Sequence, residues 1–172
     1  PKRGVRSLTP FVVERGTLGL SAGKKEKKMG IRASNTSEVI LEEVRVPAGN
    51  RLGKEGSGFR AAMETFDLSR PMIGALAVGV ARAAYEAAVK YARERVQFGK
   101  PIATQQAIQF MLADMAIEIE AARALVFKAA AMAEKQERSL SAYAAMAKAY
   151  ASDMAMRVTV DALQVLGGYG YI

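Results

Sequence analysis

The chain has 172 residues, enough for one domain with a sizeable core, and it contains neither cysteine nor histidine. It therefore cannot form disulfides or thiolate metal sites, and it lacks the commonest metal ligand and the commonest neutral-pH base. Its 25 basic and 17 acidic residues give a formal net charge of +8. Most of these charges are spread beside carboxylates, which favours a solvated surface over nucleic-acid binding and leaves attraction to polyanionic ligands open.

Residues 1–52 carry the features of β-structure. Strands are predicted at Thr9–Glu14 and Glu38–Val46, because both are apolar runs rich in β-branched residues, and glycines between them mark turns. Two or three strands cannot close a sheet by themselves. We therefore expect this segment to be the end of an incomplete β-barrel-like domain. Together with the absence of an initiator Met at Pro1, this favours a fragment of a longer protein.

Residues 53–172 are predicted to form a mainly α domain, an antiparallel up-down bundle of three long helices joined by short connections. Pro71 should kink or split the first helix. Ser139 or Ser141 is a candidate N-cap for the third, and Gly167-Gly168 should end it near Leu166. The first two helices are predicted at about 59–95 and 104–136. Because no uncharged apolar run reaches about 18 residues, we expect no membrane span and a cytoplasmic location, or the mitochondrial matrix in a eukaryote.

Two arginine-containing segments could bind a ligand or could simply be structural. Asp67 and Arg70 lie three residues apart on the predicted first helix, a spacing typical of a local salt link. Arg95 closes the same helix, where an arginine commonly compensates the helix dipole. Its guanidinium is planar and permanently charged, and its paired N–H donors also suit phosphate oxygens. Glutamines and paired glycines downstream would add hydrogen bonds and close backbone access.

Four sequence segments occur in this order: Gly30-Ile-Arg-Ala-Ser-Asn-Thr36, Phe66-Asp-Leu-Ser-Arg-Pro71, Arg95-Val-Gln-Phe-Gly99 and Gln164-Val-Leu-Gly-Gly168. Together they resemble the acyl-CoA dehydrogenase family over nearly the whole chain. The resemblance implies FAD as the cofactor, often held across a subunit boundary, and an acyl-CoA substrate. The implied substrate-binding residues are Phe66, Asp67 and Arg70. The implied cofactor-binding residues are Arg95, Gln97, Phe98, Gln105, Gln106, Gln164, Gly167 and Gly168.

The same resemblance implies desaturation of an acyl-CoA thioester, with electrons passing to an electron-transfer flavoprotein, and a homo-oligomer that is a dimer of dimers. No catalytic residue is expected in this chain. The family's usual base is a glutamate in a Tyr-Glu-Gly sequence, which these residues lack, and the alternative position before Arg70 is Ser69. A non-catalytic helical oligomerisation module, or an acyl-CoA oxidase or nitroalkane-oxidase-like flavoenzyme, stays open.

Overall fold

The computed structural model describes residues 4–172, and the chain divides after Met63 into two compact units. Three long helices dominate the second unit, and a short β segment precedes them. The predicted fold class, a mainly α three-helix bundle preceded by β-structure, is confirmed. The predicted domain boundary after residue 52 stays a prediction.

The first unit contains one small antiparallel sheet, in which β1, Leu20–Ala22, pairs with β2, Val39–Leu41. The strand predicted at Glu38–Val46 is thus confirmed only at its start, and β1 was missed among its flanking glycines. The strand predicted at Thr9–Glu14 is reduced to a single antiparallel bridge between Phe11 and Arg51. Val12 in that segment exchanges hydrogen bonds with Asn50, at 2.9 and 3.1 Å, so its backbone pairs with a 3₁₀ turn instead of a strand.

The second unit is built on α1, Gly58–Glu94, α2, Gln106–Glu134, and α3, Leu140–Leu166. These bounds lie within about two residues of those predicted. α1 runs without a break through Pro71, so of the two predicted effects the split does not occur, and a kink stays a prediction. Proline removes one backbone hydrogen bond and crowds the preceding turn, and the burial of Pro71 in the bundle offsets that local cost.

The two ends of α3 follow the prediction in different ways. Ser139 occupies the N-cap position, but its side chain makes no capping hydrogen bond. At the other end, Gly167 adopts a φ of 57°, and its N–H donates to the carbonyl of Gln164. A positive φ is easy only for glycine, which is why the helix stops there.

The helical core consists mainly of small side chains, and the backbones of α2 and α3 approach each other closely, while α1 approaches them at fewer points. At one such point, a Cβ on Gly74 of α1 would lie 2.9 Å from Cγ2 of Val126 and 3.2 Å from the carbonyl oxygen of Ala147. The fully buried core residues include Ala81, Ala88, Ala92, Met115, Ala122, Ala129, Ala144, Ala151 and Met154. Gly74 therefore joins α1 to both other helices.

A two-residue hairpin connects α1 to α2. Its strands are β3, Val96–Gln97, and β4, Lys100–Pro101. The central residues Phe98 and Gly99 both have positive φ, 53° and 80°, as in the primed turns that match the twist of a hairpin. Since the helices alternate in direction, the end of α1, the start of α2 and the end of α3 lie at the same end of the bundle.

Among the described residues, α1 is the one helix that is long and apolar enough to cross a membrane by length and composition. The sequence contains no uncharged run of that length, because Arg82 and Glu86 interrupt it. These two side chains form a 2.7 Å ion pair, one turn apart. One face of the same stretch packs in the core through Ala81 and Ala88. The absence of a membrane span stays a prediction.

Candidate functional site

Arg95 is held at the end of the bundle by both neighbouring elements. Its N–H donates to the carbonyl of Tyr91 at 2.8 Å, and its own carbonyl accepts from the N–H of Ile102 at 2.9 Å. Its guanidinium lies over the ring of Tyr169, 5.3 Å from the ring centroid. The rings of Tyr169 and Tyr91 are 6.2 Å apart and tilted by 53°. This contact brings the end of α1 and the turn after α3 together.

Arg95 is half-buried as a residue, and within residues 4–172 its guanidinium forms no ion pair and no side-chain hydrogen bond. It does not donate to the last carbonyls of α1, and compensation of the helix dipole by its charge alone stays a prediction. An arginine offers five N–H donors in a fixed fork. A fork with these donors unused is suited to the oxygens of a phosphate or carboxylate.

The predicted residues of the hairpin and of the start of α2 lie at this same end. Gln97 donates from Nε2 to the carbonyl of Val96 at 2.7 Å, and Phe98 is 94% exposed in its left-handed conformation. Gln105 is the N-cap of α2 without a side-chain capping bond, and Gln106 is the exposed first residue. An exposed aromatic in a conformation that bulky residues avoid is typical of a contact surface.

The paired glycines after α3 border open space in this chain. A Cβ built on Gly167 or Gly168 would meet nothing within 4 Å, and Gln164 is exposed one turn earlier. Gly170, in contrast, faces the carbonyl oxygen of Leu163 at a Cβ distance of 2.5 Å. Gly170 is thus required by packing and Gly167 by its φ. Nothing within the described chain requires glycine at position 168.

The predicted substrate residues lie near the other end of α1. Arg70 and Arg95 are 25 positions apart in the sequence, which corresponds to about 38 Å along a helix axis. Arg70 donates from Nη1 to Oδ1 of Asp67 at 2.7 Å, and its guanidinium lies 5.8 Å from the centroid of the Phe66 ring. Ser141, at the start of α3, also donates to Oδ1 of Asp67, at 3.0 Å. The predicted local salt link exists, and it is tied to a second helix.

An apolar groove of about 980 Å³ lies between α1 and α2, and it contains none of the predicted site residues. Charged pairs flank it: Arg82 with Glu86 on α1, and Arg123 with Glu120 on α2. The hydrogen bond to Glu86 raises the pKa of Arg82 above its ordinary value, so this guanidinium stays charged. No cluster of carboxylates that could hold a metal occurs in the described part of the chain.

Comparison with known proteins decides the family. The family model described as "Acyl-CoA dehydrogenase, C-terminal domain" matches residues 56–172. The chain belongs to the acyl-CoA dehydrogenase family. A short-chain-specific acyl-CoA dehydrogenase of Megasphaera elsdenii is 52% identical over 170 residues, covering 98% of this chain and 44% of the relative. The chain thus spans less than half the length of this curated relative.

Three solved structures show how far the acyl-CoA dehydrogenase fold is shared. Butyryl-CoA dehydrogenase from Megasphaera elsdenii superposes with a TM-score of 0.94 at 50% identity, over 99% of this chain and 44% of its own. A structure described as the electron transferring flavoprotein of Acidaminococcus fermentans superposes with a TM-score of 0.93 at 52% identity, over 98% of this chain and 44% of its own. A structure described as PigA with FAD and proline superposes with a TM-score of 0.92 at 28% identity, over 99% of this chain and 44% of its own.

These findings support the recognised family and leave the individual site assignments as predictions. Sequence reasoning named Arg95 and the glycines but missed Tyr169, which contacts the guanidinium, and Ser141, which contacts Asp67. An aromatic residue directly after the paired glycines was the available signal for Tyr169. For Ser141 the signal was its candidate N-cap position, which indicated a polar role but not its partner.

Proposed function

We propose that the protein containing this chain is an FAD-dependent acyl-CoA dehydrogenase, which desaturates an acyl-CoA thioester between its α and β carbons. The observation that carries this proposal is the half-buried residue Arg95 with its guanidinium donors unused, beside open space at Gly168. Family membership supplies the reaction class, and a flavin-containing relative of the same fold supports the cofactor.

The residues at the Arg95 end of the bundle fit the dinucleotide part of FAD. Arg95 would grip the diphosphate, the glutamine amides would hydrogen-bond to its oxygens or to the ribose, and Gly167 and Gly168 would admit the adenosine portion. This set comprises Arg95, Gln97, Phe98, Gln105, Gln106, Gln164, Gly167 and Gly168. The flavin, when bound, takes up the hydride that leaves the β carbon.

The cluster near the start of α1 would position the substrate. Arg70, oriented by Asp67 and flanked by the ring of Phe66, offers charge and an apolar surface to the CoA moiety. Asp67 is a poor candidate for the base, because it already accepts hydrogen bonds from Arg70 and Ser141. We propose that the carboxylate that removes the α proton belongs to a Tyr-Glu-Gly sequence, which these 172 residues do not contain.

Replacing Arg70 with alanine tests the substrate assignment. In the full-length protein, Arg70→Ala should raise the KM for acyl-CoA about tenfold while flavin content stays unchanged, because one charged hydrogen-bond donor to the substrate is lost. Steady-state kinetics and flavin absorbance measure the two quantities. Arg157→Ala, which breaks an exposed pair with Glu118 between α2 and α3, is the matched control and should leave KM within twofold. Loss of flavin with a normal KM would show that the two sites have been exchanged.

We further propose that the protein is a dimer of dimers that passes its electrons to an electron-transfer flavoprotein. The described helices expose many large apolar side chains, including Leu76, Phe110, Phe127 and Met156, and such surfaces commonly mark interfaces. The solved relative in an electron transferring flavoprotein is consistent with the electron acceptor.

Light scattering of the full-length protein tests the assembly. We expect a molar mass four times that of the single chain, with little change on dilution. A strictly monomeric protein that still retains flavin would contradict binding of FAD across a subunit boundary.

A further inference from the structure

We infer that Tyr169 positions the guanidinium of Arg95 for binding an anionic ligand, and this inference rests on the proposed role of Arg95 in holding FAD. The ring lies under the guanidinium at 5.3 Å, and within residues 4–172 this side chain forms no ion pair and no hydrogen bond. A cation over a ring face is held by the ring quadrupole. The N–H groups of the fork lie in its own plane, so stacking leaves them available to phosphate oxygens.

The ring itself is fixed from two sides. Tyr91 lies 6.2 Å from it, and the carbonyl of Tyr91 also accepts the backbone N–H of Arg95. The turn that carries Tyr169 packs against α3 at Gly170, where a Cβ would lie 2.5 Å from the carbonyl oxygen of Leu163. Tyr169 therefore links the backbone after α3 to the arginine after α1 and sets the direction of that side chain.

A purely structural role does not account for Tyr169 equally well. The residue is 56% exposed, so it buries little apolar surface, and its hydroxyl forms no hydrogen bond within the described residues. An arginine side chain without a partner samples many rotamers, and it loses that freedom when a ligand binds. A ring that already restricts the guanidinium lowers this entropic cost and raises ligand affinity.

A double-mutant cycle on the full-length protein tests the inference through the dissociation constant of FAD, measured by flavin fluorescence on the apoprotein. Tyr169→Leu should raise this constant about 3- to 10-fold, since it keeps the bulk and removes the ring. Tyr169→Phe should stay within about twofold, because the ring face remains. In an Arg95→Ala background, Tyr169→Leu should have no further effect. Tyr150→Leu is the matched control, a similar change on α3 away from Arg95, and it should leave FAD binding unchanged.

The outcomes distinguish failure of the role of Tyr169 from failure of the role of Arg95. One contrary outcome is that Arg95→Ala weakens FAD binding but Tyr169→Leu does not. Another is that Tyr169→Leu weakens FAD binding equally with and without Arg95. In either case Tyr169 does not act through Arg95, and only this inference fails. If Arg95→Ala itself leaves the dissociation constant unchanged, the role of Arg95 in holding FAD is wrong and the inference falls with it.

Discussion

Replacing Arg95 with alanine should raise the dissociation constant of FAD about 10- to 100-fold in the full-length protein, the largest effect expected of any site residue. A charge-assisted hydrogen bond from a desolvated arginine contributes about 1.5–3 kcal/mol, which corresponds to that change in affinity. The loss should be large because Arg95 is the arginine that the hairpin and Tyr169 hold in place at this end of the bundle. Flavin retained through gel filtration gives a first measurement, and titration of the apoprotein gives the constant.

Two variants make the Arg95 experiment specific. Arg93→Ala removes the same charge two residues earlier, from an exposed position on α1, and should leave FAD affinity nearly unchanged. Arg95→Lys keeps the charge but loses the planar fork, and should recover only part of the affinity. Equal losses in Arg93→Ala and Arg95→Ala would indicate a long-range effect of net charge, which rising salt would then abolish. Such a result would remove the basis for a diphosphate contact at Arg95.

The helices could be predicted from the sequence and the strands could not, because the two depend on information at different range. Apolar residues three and four positions apart fix the bounds of α2 and α3 locally, and Gly167 supplies the stop. A strand needs a partner that periodicity does not identify. The segment at Thr9–Glu14 has a β-rich composition, but Val12 pairs with the turn at Asn50, and the true strand β1 lies in a stretch that its glycines had marked as turn.

In the candidate site, too, local sequence features could be predicted and long-range contacts could not. Arg95 and the paired glycines belong to recognisable sequence segments, so they were predicted. The contact between Arg95 and Tyr169 joins residues 74 positions apart, and only the antiparallel packing of the helices brings them together. The hydrogen bond from Ser141 to Asp67 has the same origin. The left-handed turn at Phe98 was missed for another reason, since local preference argues against a bulky aromatic there.

Replacing Gly74 with leucine should lower the free energy of unfolding by about 2–3 kcal/mol. The new side chain would begin 2.9 Å from Val126 and 3.2 Å from the carbonyl of Ala147, so it would meet α2 and α3 at once. Either α1 moves away or its partners adopt strained conformations. Arg70 lies one turn earlier on α1 and is paired with Asp67, so the same displacement should weaken the hydrogen bond from Ser141 to Asp67 and shift Arg70 with it. Urea unfolding of the full-length protein measures the first effect, and the KM for acyl-CoA measures the second.

Gly79 provides the matched control, since it lies on the same helix but a Cβ there would meet nothing within 4 Å. Gly79→Leu should therefore raise stability by about 0.5–1 kcal/mol, because leucine is a much better helix former than glycine. The two substitutions make the same chemical change in one helix and are expected to have opposite signs. The sign depends on whether the backbone of α1 touches its neighbours at that residue. If both variants lost the same stability, close packing at Gly74 would not be what joins α1 to the bundle, and the link from that contact to the geometry around Arg70 would be lost as well.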